Sequence, residues 1–93
     1  MVWILRFHPA VKKDLRRLSR EARNFIICNS FPELEINPYQ GEQLHGPLKG
    51  FRKVYSGEYR IAYSIDNTRK EVVIIDVGSR GGFYERLRHR LGK

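Results

Sequence analysis

The chain has 93 residues, room for one domain spanning 1–93 and no more. Apolar residues make up 41% and aromatics 12%, a globular rather than a disordered composition. No run approaches the roughly 18 apolar residues needed to span a bilayer, so no membrane-spanning role is expected. Eighteen Lys and Arg against ten Asp and Glu leave a formal charge of +8, which points to a polyanionic partner. The excess is uneven: residues 1–46 hold seven basic and five acidic groups, net +2, and residues 47–93 hold eleven and five, net +6. The polyanion site is therefore sought in the second half.

In chain order, Val2–Phe7 reads as a strand rich in β-branched and aromatic residues. Its apolar opening stops at Arg6, too short for a secretory leader. His8-Pro9 opens a helix, with Val11, Leu15 and Leu18 as its apolar stripe and Lys12, Lys13, Arg16, Arg17 and Arg20 opposite. Ser19 is the expected N-cap of a second helix, with Glu21 in its first turn. That helix carries Ala22, Phe25, Ile26 and Cys28 inward. Pro32 is expected to kink or end it, and Ser30-Phe31-Pro32-Glu33 has capping-box spacing for a restart. Cys28 is the single cysteine, so neither a disulfide framework nor a zinc cluster is expected, and a reducing cytoplasm is the default location.

Residues 37–50 carry Pro38, Gly41, Gly46, Pro47 and Gly50 and read as a loop. Three strand-like runs follow, Phe51–Ser56, Tyr59–Ile65 and Glu71–Val77, then a glycine-rich loop and a short basic helix over Phe83–Leu91. The order β-α-α-β-β-β implies an α+β domain with two N-terminal helices packed on one face of an antiparallel sheet.

The turn Ser56-Gly57-Glu58-Tyr59 fits a two-residue hairpin loop with Gly57 at its first central position. Ser56 then pairs with Tyr59, Tyr55 with Arg60 and Lys53 with Ala62. Lys53, Tyr55 and Arg60 share one face beside the small Ala62 and Ser64, while Tyr59, Ile61, Tyr63 and Ile65 point to the helices. A strand face with Lys, Tyr and Arg beside small residues suits a phosphate and a base. The segment Val77-Gly78-Ser79-Arg80-Gly81-Gly82-Phe83-Tyr84 adds glycines that let backbone approach a ligand, a bidentate phosphate donor in Arg80 and a stacking ring in Tyr84.

Gly50-Phe51-Arg52-Lys53-Val54-Tyr55-Ser56-Gly57-Glu58-Tyr59-Arg60-Ile61-Ala62-Tyr63 resembles the central signature of the RelE/ParE toxin superfamily. Val77-Gly78-Ser79-Arg80 with Tyr84 resembles that family's closing Val-Gly-x-Arg and Tyr. Pro9-Ala10-Val11-Lys12-Lys13-Asp14-Leu15 and Gln43-Leu44-His45-Gly46 are similar to its first helix and to the Lys-Leu-x-Gly before the signature. The resemblance covers nearly the whole chain. It implies the toxin of a type II toxin–antitoxin system, a RelE-like mRNA interferase in the cytoplasm. Such a toxin cleaves messenger RNA on the ribosome without metal or other cofactor and is silenced by a cognate acidic antitoxin in a hetero-oligomer. It places catalysis on Lys53, Arg60, Arg80 and Tyr84; Arg52, Tyr55, Arg86, Arg88 and His89 are the further expected RNA contacts.

The implied reaction is attack of a ribose 2′-hydroxyl on its own 3′-phosphate. It needs a base, stabilisation of the phosphorane and protonation of the 5′-oxygen. Lys53 serves as base if Arg60 and Arg80 depress its pKa, Arg60 clamps the phosphate, Arg80 stabilises charge, and Tyr84 stacks on or orients a base. The chain departs from the family pattern at Phe51, Tyr55 and Gly81, where relatives carry basic residues, so its site is poorer in cations. His8, His45 and His89 have no metal-ligand spacing. Two other functions fit the same fold: a ParE-like poison of DNA gyrase, which does not need the four residues as a set, and a non-catalytic RNA- or protein-binding module.

Overall fold

The computed structural model describes residues 2–93; Met1, where the apolar opening begins, lies outside them. Strand β1 covers Ile4–Phe7. Helices α1 (Val11–Arg17) and α2 (Arg20–Phe25) follow, then a π turn (Ile26–Ser30) that runs into α3 (Phe31–Ile36). Strands β2 (Glu42–Gln43), β3 (Phe51–Ser56), β4 (Tyr59–Asp66) and β5 (Glu71–Ser79) lead to α4 (Phe83–Leu91). The sheet order is β1-β5-β4-β3-β2. The α+β class is as the sequence implies, with two differences. Residues 37–50 contribute the short edge strand β2, and β1 joins β5 in parallel, so the sheet is antiparallel except at that pair. The parallel pairing follows from the long helical crossover between β1 and the rest of the sheet.

Local chemistry sets the helix ends. His8 Nδ1 accepts from Ala10 N at 3.1 Å before α1, and Ser19 Oγ accepts from Ala22 N at 3.1 Å as the expected cap of α2. Pro32 neither ends nor kinks the helical run as expected. It sits at the start of α3, and the preceding π turn carries the bonding past it, Phe31 N donating to Ile26 O. The extra residue in that turn rotates the expected apolar stripe. Ile26 stays buried, but Phe25 is 54% exposed and Cys28, expected inward, is exposed. Ser30 makes no capping box; its hydroxyl donates to Ser56 Oγ at 3.0 Å inside the core.

The hairpin register is the one the turn predicts: Ser56 pairs with Tyr59, Tyr55 with Arg60 and Lys53 with Ala62. Val11, Leu18, Ile26, Phe31 and Leu34 from the N-terminal helices pack on Ile61, Tyr63, Val72, Ile74 and Val77 of one sheet face. The other face is covered too, where sequence reasoning left it open. Phe83 and Leu87 of α4, with Leu44 and Leu48, bury Ala62 and Ile75 there. A bulge in β5 makes this arrangement possible: Tyr63 pairs with Ile74 and Ala62 with Asp76, leaving Ile75 without a partner. Past the bulge the alternation reverses, so Asp76 turns toward α4 and Val77 toward α1. Among the described residues no helix is long and apolar enough to cross a membrane.

Candidate active site

The register draws a row of residues across the sheet. Glu42 pairs with Lys53, Lys53 with Ala62, and Ala62 with Asp76. The next row is Tyr55, Arg60 and Gly78. Cross-strand partners share a face, and this is the face on which α4 lies. The helix carries Tyr84 in its first turn and so lowers a phenol onto the two rows.

Lys53 Nζ donates to Tyr84 Oη at 2.6 Å and meets Glu42 Oε2 at 3.2 Å. Its residue is only 7% exposed, so the ammonium is largely held by these two partners. The Tyr84 contact is the main reason that the Lys53 pKa lies above its ordinary value, against the opposing effect of burial and with help from Glu42. The same hydrogen bond is the main reason that the Tyr84 pKa lies below its ordinary value, with further help from the charges of Lys53 and Arg60. The expected role of Lys53 as a base required a depressed pKa, whereas in the resting site its pKa lies above the ordinary value. Its ammonium is held by Tyr84 and Glu42, and the Tyr84 phenol is the partner whose pKa is drawn down.

Arg60 lies among three rings, its guanidinium carbon 5.3 Å from the centre of Tyr55, 5.5 Å from Phe83 and 5.8 Å from Tyr84. These faces stabilise the cation but supply no counter-charge. Among the described residues no carboxylate pairs with it, and its buried Nε meets no protein acceptor. Beside it opens a groove of about 570 Å³ lined by Tyr55, Gly57, Glu58, Arg60, Ser79, Arg80 and Gly81. The structure thus brings Arg60, Arg80 and Tyr55 to one groove and sets Lys53 and Tyr84 next to Arg60.

The remaining expected RNA contacts are placed elsewhere. Arg52 lies on the opposite sheet face, stacked 5.4 Å from the Tyr39 ring and donating to Gly41 O at 2.8 Å. Arg86 points inward: Nε and NH2 reach the Asp76 carboxylate at 3.1 Å each. Arg88 and His89 are exposed on α4 and do not line the groove. Sequence reasoning missed Glu42 and Asp76. An aspartate inside the apolar run Val72-Val73-Ile74-Ile75-Asp76-Val77 was the available signal, because a carboxylate at such a position requires a buried partner. Among the described residues no three His, Cys, Asp or Glu side chains lie close enough together to hold a metal ion.

The profile of the family described as ParE-like toxin of type II bacterial toxin-antitoxin system matches residues 5–88. The chain belongs to this family, within the RelE/ParE superfamily. Toxin RelG of Mycobacterium tuberculosis is 30% identical to this toxin over 87 residues, covering 92% of this chain and all of that protein. Toxin RelE of the same organism is 32% identical over 83 residues, covering 84% of this chain and 86% of that one. Among solved structures, the RelBE2 toxin–antitoxin complex from Mycobacterium tuberculosis superposes with a TM-score of 0.80 at 28% identity, covering 86% of this toxin and all of the matched chain. A mutant of the Escherichia coli toxin RelE in its free state shares the fold at a TM-score of 0.75 and 21% identity, over 97% of this chain and 94% of that one.

Proposed function

We propose that this toxin is an endoribonuclease that cleaves messenger RNA on the ribosome without a metal ion and so stops translation. The observation that supports this most strongly is Arg60: an uncompensated guanidinium with a buried, unsatisfied Nε beside an open groove that also holds Arg80. An unpaired cation in such a place costs free energy unless an anion arrives, and a phosphodiester is the anion that fits two arginines.

In the reaction, the ribose 2′-oxygen attacks the adjacent phosphorus and the bond from phosphorus to the 5′-oxygen breaks. The products are a 2′,3′-cyclic phosphate and a free 5′-hydroxyl. Tyr84, in its ionised form, takes the 2′-hydroxyl proton. Lys53 holds the phenolate in place and keeps its own charge throughout. Arg60 binds a non-bridging oxygen, and Arg80 stabilises the extra negative charge of the phosphorane. A guanidinium is a poor proton donor, so the 5′-oxygen takes its proton from solvent. Tyr55, 59% exposed at the groove, offers a ring on which a base stacks. Arg88 follows Tyr84 by one helical turn, and Arg52 and His89 lie outside the groove, so the reach of these three is to more distant phosphates. A cognate acidic antitoxin binds the toxin as a hetero-oligomer in the cytoplasm and blocks this face. Its support is the +8 charge and the likeness to a solved toxin–antitoxin complex.

The test is a bacterial translation extract programmed with a reporter message, 5′ ends being mapped for the wild type and for Arg80→Ala. Cuts inside translated codons that vanish in the folded variant support the reading. Intact message with inhibited DNA gyrase replaces it with the gyrase poison, and intact message with both processes unhindered leaves a binding module.

A further inference from the structure

Asp76 is completely buried in the middle of β5, and the bulge at Ile75 is what turns it toward α4. It meets two arginines of that helix. Arg86 grips it through Nε and NH2 at 3.1 Å each, and Arg90 NH1 reaches Oδ1 at 2.7 Å. Arg90 also forms a fork on Asp14 of α1, with NH1 at 2.5 Å and NH2 at 2.6 Å. Asp14 in turn accepts from Val77 N at 3.0 Å, and Arg90 NH1 donates to Ile75 O at 3.1 Å. These two bonds satisfy the edge of β5 beyond Ile74, where its pairing with β1 stops. Two carboxylates and two guanidiniums thus make a neutral cluster joining α1, β5 and α4.

Arg86 does more than pair. Its NH1 donates to Gly81 O at 3.0 Å and its NH2 to Ser79 O at 3.2 Å, one bond on each side of Arg80. Gly78 lies beneath the guanidinium, where a Cβ would collide with it. The same arginine is two residues past Tyr84 on α4. Two buried carboxylates paired with two partly buried guanidiniums are a costly way to stabilise a fold, since well-packed apolar side chains often do as well. What they add is fixed direction.

We infer that Asp76 is a positioning residue for RNA cleavage: through Arg86 and Arg90 it holds the loop bearing Arg80 and the helix bearing Tyr84 in register with Lys53 and Arg60. The inference rests on the nuclease reading of the groove. Asp76 touches neither substrate nor reacting atoms, and it acts entirely through the two arginines.

The experiment compares the full-length wild type with Asp76→Asn and Arg86→Lys. It follows far-ultraviolet circular dichroism, the ionisation of Tyr84 by ultraviolet difference titration against Tyr84→Phe, and the kcat and KM of cleavage. A folded Asp76→Asn is expected to titrate Tyr84 closer to the ordinary tyrosine value, because α4 no longer holds the phenol on Lys53. Its kcat is expected to fall roughly 10²-fold, the usual consequence of reacting groups misplaced by about an ångström. KM should change less than about threefold, since Arg60 and the groove remain. Arg86→Lys keeps a charge opposite Asp76 but lacks the fork that holds Ser79 and Gly81. It is expected to lose kcat similarly while Tyr84 titrates as in the wild type. A folded Asp76→Asn with wild-type kcat and Tyr84 titration overturns the inference. Should Asp76→Asn fail to fold, wild-type kcat in Arg86→Lys overturns it equally. If the wild type itself leaves translated message intact, the nuclease reading falls, and the Tyr84 titration of Asp76→Asn alone decides whether Asp76 sets the helix.

Discussion

Tyr84→Phe removes one oxygen atom and leaves the ring, the backbone of α4 and the Phe83 anchor as they are. What disappears is the acceptor that Lys53 Nζ meets at 2.6 Å and, with it, the phenol over the Lys53–Arg60 pair whose pKa is displaced downward. General-base catalysis by a positioned side chain contributes about 10²–10⁴-fold. At about 1.36 kcal/mol per tenfold, that is roughly 3–5 kcal/mol of barrier. KM should barely move, because the groove with Tyr55, Arg60 and Arg80 is untouched and Lys53 keeps Glu42 at 3.2 Å. The pH dependence makes the test sharper. Lys53, with its pKa raised, stays protonated across the range, so it contributes no inflection there. If Tyr84 is the base it acts only when ionised, so the wild-type rate should climb with pH and level off below the ordinary tyrosine value of 10.0. The variant should be slow and flat over the same window. Cleavage of a ribosome-bound message under single-turnover conditions between neutral and alkaline pH measures both. A Phe variant within about tenfold of wild type, with an unchanged pH profile, would refute Tyr84 as the base and leave it as a stacking platform.

Three further outcomes follow from the same geometry. Glu42→Gln frees Lys53 from a competing carboxylate, so RNA should bind a few-fold tighter with a salt slope steeper by about one unit. A large loss of kcat in filter-binding-matched assays would instead make Glu42 part of the chemistry. Tyr63→Phe strips a buried hydroxyl that donates to Pro38 O at 2.6 Å and accepts from Gly41 N at 3.0 Å. Leaving both backbone groups unsatisfied should cost about 2–4 kcal/mol in urea unfolding, against about 1 kcal/mol if water takes their place. Leu87→Ala, at a fully buried position between α4 and the sheet, should cost about 2–5 kcal/mol and lower Tm by about 10–30 °C, with the Tyr84 titration shifting as α4 loosens.

Much of the molecule was legible in the sequence because the deciding interactions are local. The Ser19 cap depends on four consecutive residues, and the β3–β4 register on the Gly57-Glu58 turn. That register alone places Lys53, Tyr55 and Arg60 on one face. The π turn was not legible: its effect on Phe25 and Cys28 comes from one extra residue in the bonding pattern ahead of Pro32, which no apolar period reveals.

Charge and motif order by themselves determined the class of fold, the family and the neighbourhood of Arg60 and Arg80, since composition and short turns are properties of the chain alone. Which arginines are paired within the fold was decided only by the tertiary structure. Arg60, Arg80, Arg86 and Arg90 are chemically identical in the sequence. A one-residue bulge in β5 turns Asp76 toward α4, and that placement neutralises Arg86 and Arg90 within the fold while Arg60 and Arg80 stay uncompensated at the groove. A carboxylate's position sets the free energy of a nearby cation, and in this chain those positions come from strand pairing between residues far apart in sequence.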